Sequence, residues 1–455
     1  MRLGHPLQMG NDQPWGEGMC RAAIPMYEQA IEKSRPFGVM RVHVEPLWGL
    51  TRATGYCGDL ISARQYAEQG LEIARQAGDI WMGNLVRSAL GSALVQAGET
   101  EEARGVLEEA ADQFIRVGDS FGWTAVQMWL ALNAWRTGNT DAAMQYVAAL
   151  LPEARQNNYL DLFTRPSLLG LRDDQAFWPI LLEARRREIE PGYIQNLLHE
   201  AGLEDLDSHP GYTLWVRMFG PFTAWKGTEP IRPADWQREK ARQLFQLLLI
   251  HRGKWLGRDQ ICDLLWPDAP GDTAVRDFKV ALSTMNKALD PDRPQGSPSF
   301  FVLRRENYYM VNPQAQIRLD VDDFERLASA EKQDLLRKAL ALAADKYLSD
   351  SINEEWALAE RERLERTWLM AADRLAALLV AEGKREEAIE ISQTILRRDP
   401  THENAYRLLM EIHGELGNRP LVQNIYNRYA TALRENLGIE PSGEMQMLLA
   451  RLVHH

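Results

Sequence analysis

The sequence predicts a mainly α-helical chain in three parts. These are a solenoid of helix pairs, a middle segment of short strands around three helices, and a second helical repeat region. Three observations predict this. Glycines and alanines recur every 40 residues through the first 184 positions. From Tyr212 the apolar pattern changes from helical to alternating. Beyond residue 331 a helical pattern returns, with Gly383 and Gly417 standing 34 residues apart.

The first part rests on internal repetition. Gly18, Gly58, Gly98 and Gly138 share one phase, and so do Ala23, Ala63, Ala103 and Ala143. Each copy reads as a helix, a glycine turn that supplies a positive φ, and a second helix whose alanine permits close packing. Leu50, Leu90 and Leu130 align the leading helices. These repeats over 1–184 resemble tetratricopeptide (TPR) repeats of the maltose-activator type, so a TPR-like α-solenoid is expected. The first copy lacks most of its leading helix. The array is therefore the C-terminal part of a longer solenoid, or residues 1–17 form an irregular cap. Solenoids present a concave surface. Here the leading helices carry Trp48, Arg52, Trp81, Arg87, Trp123, Gln127, Trp129 and Trp135. Of these, Trp48, Arg52, Arg87, Gln127 and Trp129 are the candidate site for a small-molecule or protein inducer. Packing between repeats is the plainer role for any single tryptophan.

Residues 185–211 hold Pro191-Gly192 and Pro210-Gly211 around a short amphipathic helix. They read as a linker that packs a little.

The middle segment, 212–327, begins with YTLWVRMFG, FTAWKG and TEPIRP, which read as two or three short strands. A helix over DWQREKARQLFQLLLIHRG follows, closed by Gly253, and then a short one over LGRDQICDLLWP. The third helix begins at an Asp272 or Thr273 N-cap and buries Phe278, Leu282, Met285 and Leu289. Its other face carries Arg276, Lys279, Val280, Ser283, Asn286 and Lys287. FFVLRRENYYMVN then reads as a hairpin. Three helices followed by a hairpin make a winged helix-turn-helix domain with a small β-sheet and a wing. In such a domain the helix after the turn enters the major groove of double-stranded DNA.

Charge agrees with that reading. The whole chain carries −12, yet 212–318 holds 16 Lys/Arg against 11 Asp/Glu. A basic module inside an acidic chain suits phosphate contact. Arg276 and Lys279 suit guanine or phosphate, Asn286 suits adenine, and Ser283 takes either role. Lys287 extends the face. Arg304 and Arg305 flank the wing tip, and Trp236, Arg238, Lys240 and Arg242 are placed to clamp backbone from the first helix. The plainer reading of such a stripe is a solvated helix face. Asp277, an acid on the same helix, favours it.

From 331 to 455 the chain reads as helical. Ala376, Ala388 and Pro400 keep offsets of 12 and 12, as in a standard repeat.

At this point a family resemblance appears. WQREKARQLFQLLLIHRGKWLGRDQICDLLWPDA, DFKVALSTMNKAL and YYMVN with LDVDDFERL resemble the OmpR/PhoB-type winged helix of the bacterial SARP transcriptional activators. RRDPTHENAYRLLM, Tyr426 and LGIEPS resemble the bacterial transcriptional activator domain, also TPR-like, that follows it. The resemblance implies that Arg276, Lys279, Ser283 and Lys287 lie on the recognition helix and Arg304 and Arg305 on the wing. The sequence departs where relatives often carry an arginine late in that helix; Asn286 stands near there. The implied function is an activator that binds tandem promoter repeats, as a possible homodimer, and contacts RNA polymerase. The repeat array would control it. The rivals are a TPR scaffold whose winged helix binds protein, or the C-terminal part of a larger signalling ATPase regulator.

Other classes fit less well. The sequence has no GxxxxGK[ST], HExxH or GxSxG, so no catalytic residue is expected. The nine histidines show no metal-ligand spacing, and no cofactor is expected. Cys20, Cys57 and Cys262 form no CxxC pair, which fits a reducing cytosol. No apolar run reaches membrane-span length and the N-terminus lacks the apolar stretch of a signal peptide, so a cytoplasmic protein is expected.

Overall fold

A computed structural model describes residues 17–34, 36, 39–165, 167–204, 206–294 and 296–454. It divides into two compact units. One holds the repeat array and the middle segment as far as Arg318, without 217–223. The other holds Arg217–Thr223 and the chain from Leu319 onward.

In the first unit the array runs through α1 (Glu17–Ser34), α2 (Met40–Tyr56), α3 (Leu60–Ala77), α4 (Ile80–Ala97), α5 (Thr100–Val117), α6 (Ser120–Arg136) and α7 (Thr140–Gln156). The expected cap over 1–17 lies almost wholly outside the described residues. The joints follow from sequence. Gly58, Gly98 and Gly138 take φ of 82°, 81° and 76°, values that favour glycine. Gly78 and Gly118 form a second such series half a repeat away. An Asp or Asn after most of these glycines caps the next helix: Asp59 accepts from Ser62 N at 3.0 Å, Asp119 from Gly122 N at 2.9 Å, and Asn139 from Ala142 N at 3.1 Å. Gly18 does not mark a turn, because it lies within α1.

Close approach explains the small residues. A Cβ at Gly91 would stand 2.4 Å from Leu107 Cδ2, so a larger residue there would push α4 from α5. The trailing helices α3, α5 and α7 bury one stripe, whereas α2, α4 and α6 are buried on nearly every side.

The array continues past its expected end. After α8 (Asp161–Thr164) come α9 (Trp178–Arg186) and α10 (Pro191–Glu200). Tyr193, Ile194, Leu197, Leu198 and Leu203 all join the array's core, so 185–211 packs far more than a linker would. Its repeat spacing fails here, which is why the sequence pattern did not reveal it.

The middle segment contains β1 (Leu214–Arg217), β2 (Thr223–Lys226), β3 (Glu229–Ile231), α11 (Pro233–Trp236), α12 (Glu239–Ile250), β4 (Leu256–Gly257), α13 (Arg258–Leu265), α14 (Gly271–Leu289), β5 (Val302–Arg305), β6 (Tyr308–Val311) and β7 (Ile317–Leu319). One sheet has the order β3-β2-β1-β7 and the other β4-β6-β5. The helix expected over DWQREKARQLF is broken in two, with Gln237 at φ 56° between α11 and α12. Nor does Asp272 or Thr273 cap α14, whose N-cap is Pro270 without a side-chain bond.

The array's tail and the winged helix belong to the same unit. Buried Asp173 accepts from Thr213 N at 2.8 Å and Thr213 Oγ1 at 2.9 Å, just ahead of β1. Burial pushes its carboxyl up to about 6 against these donors. His209 packs edge-on against Phe300 at 4.6 Å, and Gln314 Nε2 donates to Gly202 O at 3.3 Å.

The second unit contains α15 (Asp320–Ala328), α16 (Gln333–Leu342), α17 (Leu358–Ala381), α18 (Arg385–Arg398), α19 (Glu403–Glu415), α20 (Arg419–Leu437) and α21 (Gly443–His454). Gly383 and Gly417 take φ of 76° and 70° at successive turns. Arg398 lies over the Trp368 ring at 4.0 Å and donates to Ala344 O at 2.6 Å, tying α18 to α17. Segment 217–223 is held here by Asp320, which accepts from Met218 N at 2.8 Å and Phe219 N at 2.9 Å. Burial pushes Asp320 up to about 7 although both donors pull it down.

Candidate nucleic-acid interface

The geometry of α14 sorts its residues by depth. Phe278, Met285 and Leu289 are fully buried, and Ala274, Ala281 and Ala288 fill the same side. Phe278 meets Tyr309 of β6 edge to face at 5.0 Å, so the helix rests on the wing's sheet. Arg276, Lys279, Ser283 and Lys287 are exposed. At 100° per residue these four fall within one narrow stripe along the helix. Val280 stands among them, 37% exposed, as an apolar group of the kind that meets a thymine methyl. Arg276 Nε lies 3.3 Å from Asp277 Oδ1, which offsets part of its charge.

Two sequence candidates are corrected. Asn286 is 8% exposed, with Oδ1 lacking a hydrogen-bond partner, so it is a buried polar group and not an adenine reader on the stripe. Trp236 is 3% exposed and stacked on Phe245 at 5.9 Å, so it belongs to the core and clamps nothing. Arg238 is exposed and Lys240 half-buried. Arg242 is drawn to Glu239 at 2.6 Å.

The wing is a hairpin in which Arg305 pairs with Tyr308 across a two-residue turn, Glu306-Asn307. Glu306 takes φ 55°, as such tight turns require at their first position. Arg304 and Arg305 are exposed. Arg304 Nε donates to Glu306 O at 2.9 Å, which holds it beside the tip. Sequence reasoning missed β4, a two-residue strand pairing Gly257 with Tyr308. It brings exposed Lys254 and Trp255, together with Arg258, to the wing. Arg258 N donates to Asn307 O at 2.7 Å. Two residues are too few for any alternation to show.

The leading helices of the array behave differently. Trp48, Arg52, Gln127 and Trp129 are all buried. Arg52 Nη2 donates to Ser167 O at 3.0 Å, and Trp129 Nε1 donates to Leu169 O at 2.9 Å. Arg172 Nη1 returns a bond to Tyr56 O at 2.7 Å, and both arginines lie over the Tyr56 ring. Residues 167–172, which form no helix or strand, thus bond the donors expected to meet a partner. Arg87 is instead partly exposed and paired with Glu109 at 2.8 Å. Trp81 is 38% exposed and donates to Asp119.

These features define a class: helical repeats, then a winged helix with a cationic stripe, then a second helical-repeat region. Residues 319–453 match the bacterial transcriptional activator domain. The match begins at Leu319, so DVDDFERL falls inside it. The chain is similar to the regulatory protein AfsR of Streptomyces griseus, 24% identical over 238 residues, covering 52% of this chain and 24% of AfsR. It is also similar to the regulatory protein DnrI of Streptomyces peucetius, 24% identical over 249 residues, covering 51% of this chain and 89% of DnrI. The match to AfsR thus spans about a quarter of that relative. Among solved structures, Mycobacterium tuberculosis EmbR in complex with a low-affinity phosphopeptide is 19% identical, covering 53% of this chain and 65% of that chain, with a TM-score of 0.45. The domain match and the two relatives bear out the SARP resemblance read from the sequence.

Proposed function

We propose that this chain is a sequence-specific DNA-binding transcriptional activator. In this reading α14 enters the major groove, the wing meets the flanking backbone, and the second unit presents a surface to RNA polymerase. Two copies bind tandem promoter repeats about one helical turn apart. The repeat array sets the active fraction through a partner that favours one state. The observation that carries the reading is the exposed stripe of Arg276, Lys279, Ser283 and Lys287. It lies in a basic module of an otherwise acidic chain, and the activator domain follows. Arg276 and Lys279 supply base or phosphate contacts, and Arg304 and Arg305 supply charge at the wing.

The test is selection of genomic duplex fragments by the purified chain, at low and at near-physiological salt. A repeated short motif that survives the higher salt is expected. Motif-free binding that vanishes with salt would reduce the stripe to electrostatic attraction. It would favour the scaffold reading, which the Arg276–Asp277 pair supports by weakening the stripe's charge.

A further inference from the structure

We infer that the outer face of the wing's three-stranded sheet binds single-stranded nucleic acid, with unpaired bases stacked on Trp255 and Tyr308. This goes beyond the proposed duplex contact, which it adjoins at Arg305.

The strand register builds the face. β4, β6 and β5 lie side by side, with Tyr308 opposite both Gly257 and Arg305, and Met310 opposite Leu303. Side chains alternate across a sheet, so these positions share one side. The other side, with Leu256, Val302, Tyr309 and Val311, is buried, and Phe278 of α14 rests on it at Tyr309. The outer side has no such cover. Tyr308 is 51% exposed, and Leu303 and Met310 are half-buried. Trp255, one residue ahead of β4, keeps the alternation: it is 40% exposed where Leu256 is buried. The Tyr308 ring extends over Gly257, where a Cβ would come within 3.6 Å of its Cε1.

Charge selects the occupant. Exposed Lys254 and Arg305 flank the rings, and neither has an ion pair among the described residues. Arg258 is by contrast drawn to Asp259 at 3.0 Å, and Arg304 to Glu306 O at 2.9 Å. None of the three strands contains an acid, and neither does the Lys254-Trp255 pair ahead of them. Open rings beside uncommitted cations suit a ligand that carries flat apolar surfaces and anions together. A nucleic-acid strand carries both. In a duplex each base face is covered by the next base pair, so unpaired bases are the ones free to stack on a sheet's aromatic rings. A two-fold contact with a second copy fits less well, because it would bring two sets of like charges together.

The experiment uses the full chain with fluorescein-labelled oligothymidylate and oligouridylate of about 12 nucleotides. Fluorescence anisotropy at low salt should show binding, and the tighter of the two tells DNA from RNA. Trp255→Leu and Tyr308→Leu should each weaken that binding about tenfold, and more together. The same oligonucleotides carrying 5-iodouracil, cross-linked by near-ultraviolet light, should attach at Trp255 or Tyr308 in peptide mass spectrometry. That cross-link should persist in Arg276→Ala with Lys279→Ala, which strips the duplex stripe. Attachment on α14 instead overturns the proposal. So does an affinity unmoved by both ring substitutions in chains that fold by circular dichroism. The cross-link is read on the unaltered chain, so the test stands even where a variant fails to fold. Absence of strand binding overturns it too; if the chain still selects a duplex motif, only this inference falls. Strand binding at the rings by a chain that selects no duplex motif removes only the proposed function.

Discussion

On α14, Arg276, Lys279, Ser283 and Lys287 stand in solvent, whereas on α2 and α6 Arg52 and Trp129 are buried and bonded to carbonyls of their own chain. Both sets look alike in the sequence: cations and polar groups on helices, with aromatics nearby. What separates them is a covering segment. Nothing among the described residues lies over the α14 stripe, but the segment 167–172 reaches Arg52 of α2 from 115 positions away. Availability for a partner is thus decided by what returns to a helix, and the helix's own periodicity is silent on that.

The contrast can be broken or sharpened by substitution. The largest effect should come from Arg276→Ala with Lys279→Ala. Each change should cost about 1–3 kcal/mol in affinity for the selected duplex. Fluorescence titration on specific and random DNA separates base reading from phosphate contact, because an equal loss on both means phosphate alone. Next is Arg52→Ala, which should destabilise the first unit by about 2–3 kcal/mol in chemical denaturation, since it leaves the Ser167 and Gly170 carbonyls without their charged donor. Arg87→Ala, on a nearby helix but partly exposed and paired with Glu109, should cost at most about 1 kcal/mol. Equal costs for the two would end the contrast between the buried and the accessible cation.

A pH effect of intermediate size belongs to Asp320. Its folded value of about 7 lies above the ordinary unfolded value of about 3.9. Between these the folded state holds more protons, so this group's contribution to stability is full below about pH 4 and is lost as pH rises through 7. Asp320→Asn should flatten that slope for the second unit, read as thermal midpoints at pH 5 and pH 8. A slope unchanged by the substitution would show that another group sets it. The smallest effect is at the wing: Arg304→Ala and Arg305→Ala should each lower the salt dependence of DNA binding by about one counterion per lost contact. Arg304 should lose less, since Glu306 O already holds it.

Much of the architecture was legible because it is local. The 40-residue phase of Gly58, Gly98 and Gly138, the apolar stripe through Phe278, Met285 and Leu289, and the RENYY hairpin each follow from a few neighbouring residues. The candidate interface was legible in part. Arg276, Lys279, Ser283 and Lys287 fall where their helical phase puts them. Asn286 and Trp236 do not, because phase cannot register burial by elements distant in sequence. Trp255 and Arg258 reach the wing through a two-residue strand, below the length at which alternation is readable. The segment 167–172 has no period at all, so its place against Arg52 and Trp129 had no sequence signature.

That segment also fixes a number. Its Ser167 and Gly170 carbonyls meet α2, its Leu169 carbonyl meets α6, and Arg172 returns to the end of α2. The same few residues therefore span two repeat intervals and serve as a ruler for the array. The Gly-Asp joints would tolerate removal of one 40-residue block, since each closes on the same local geometry. The ruler would not, because the block's loss would carry Arg52 and Trp129 out of step with the carbonyls they hold.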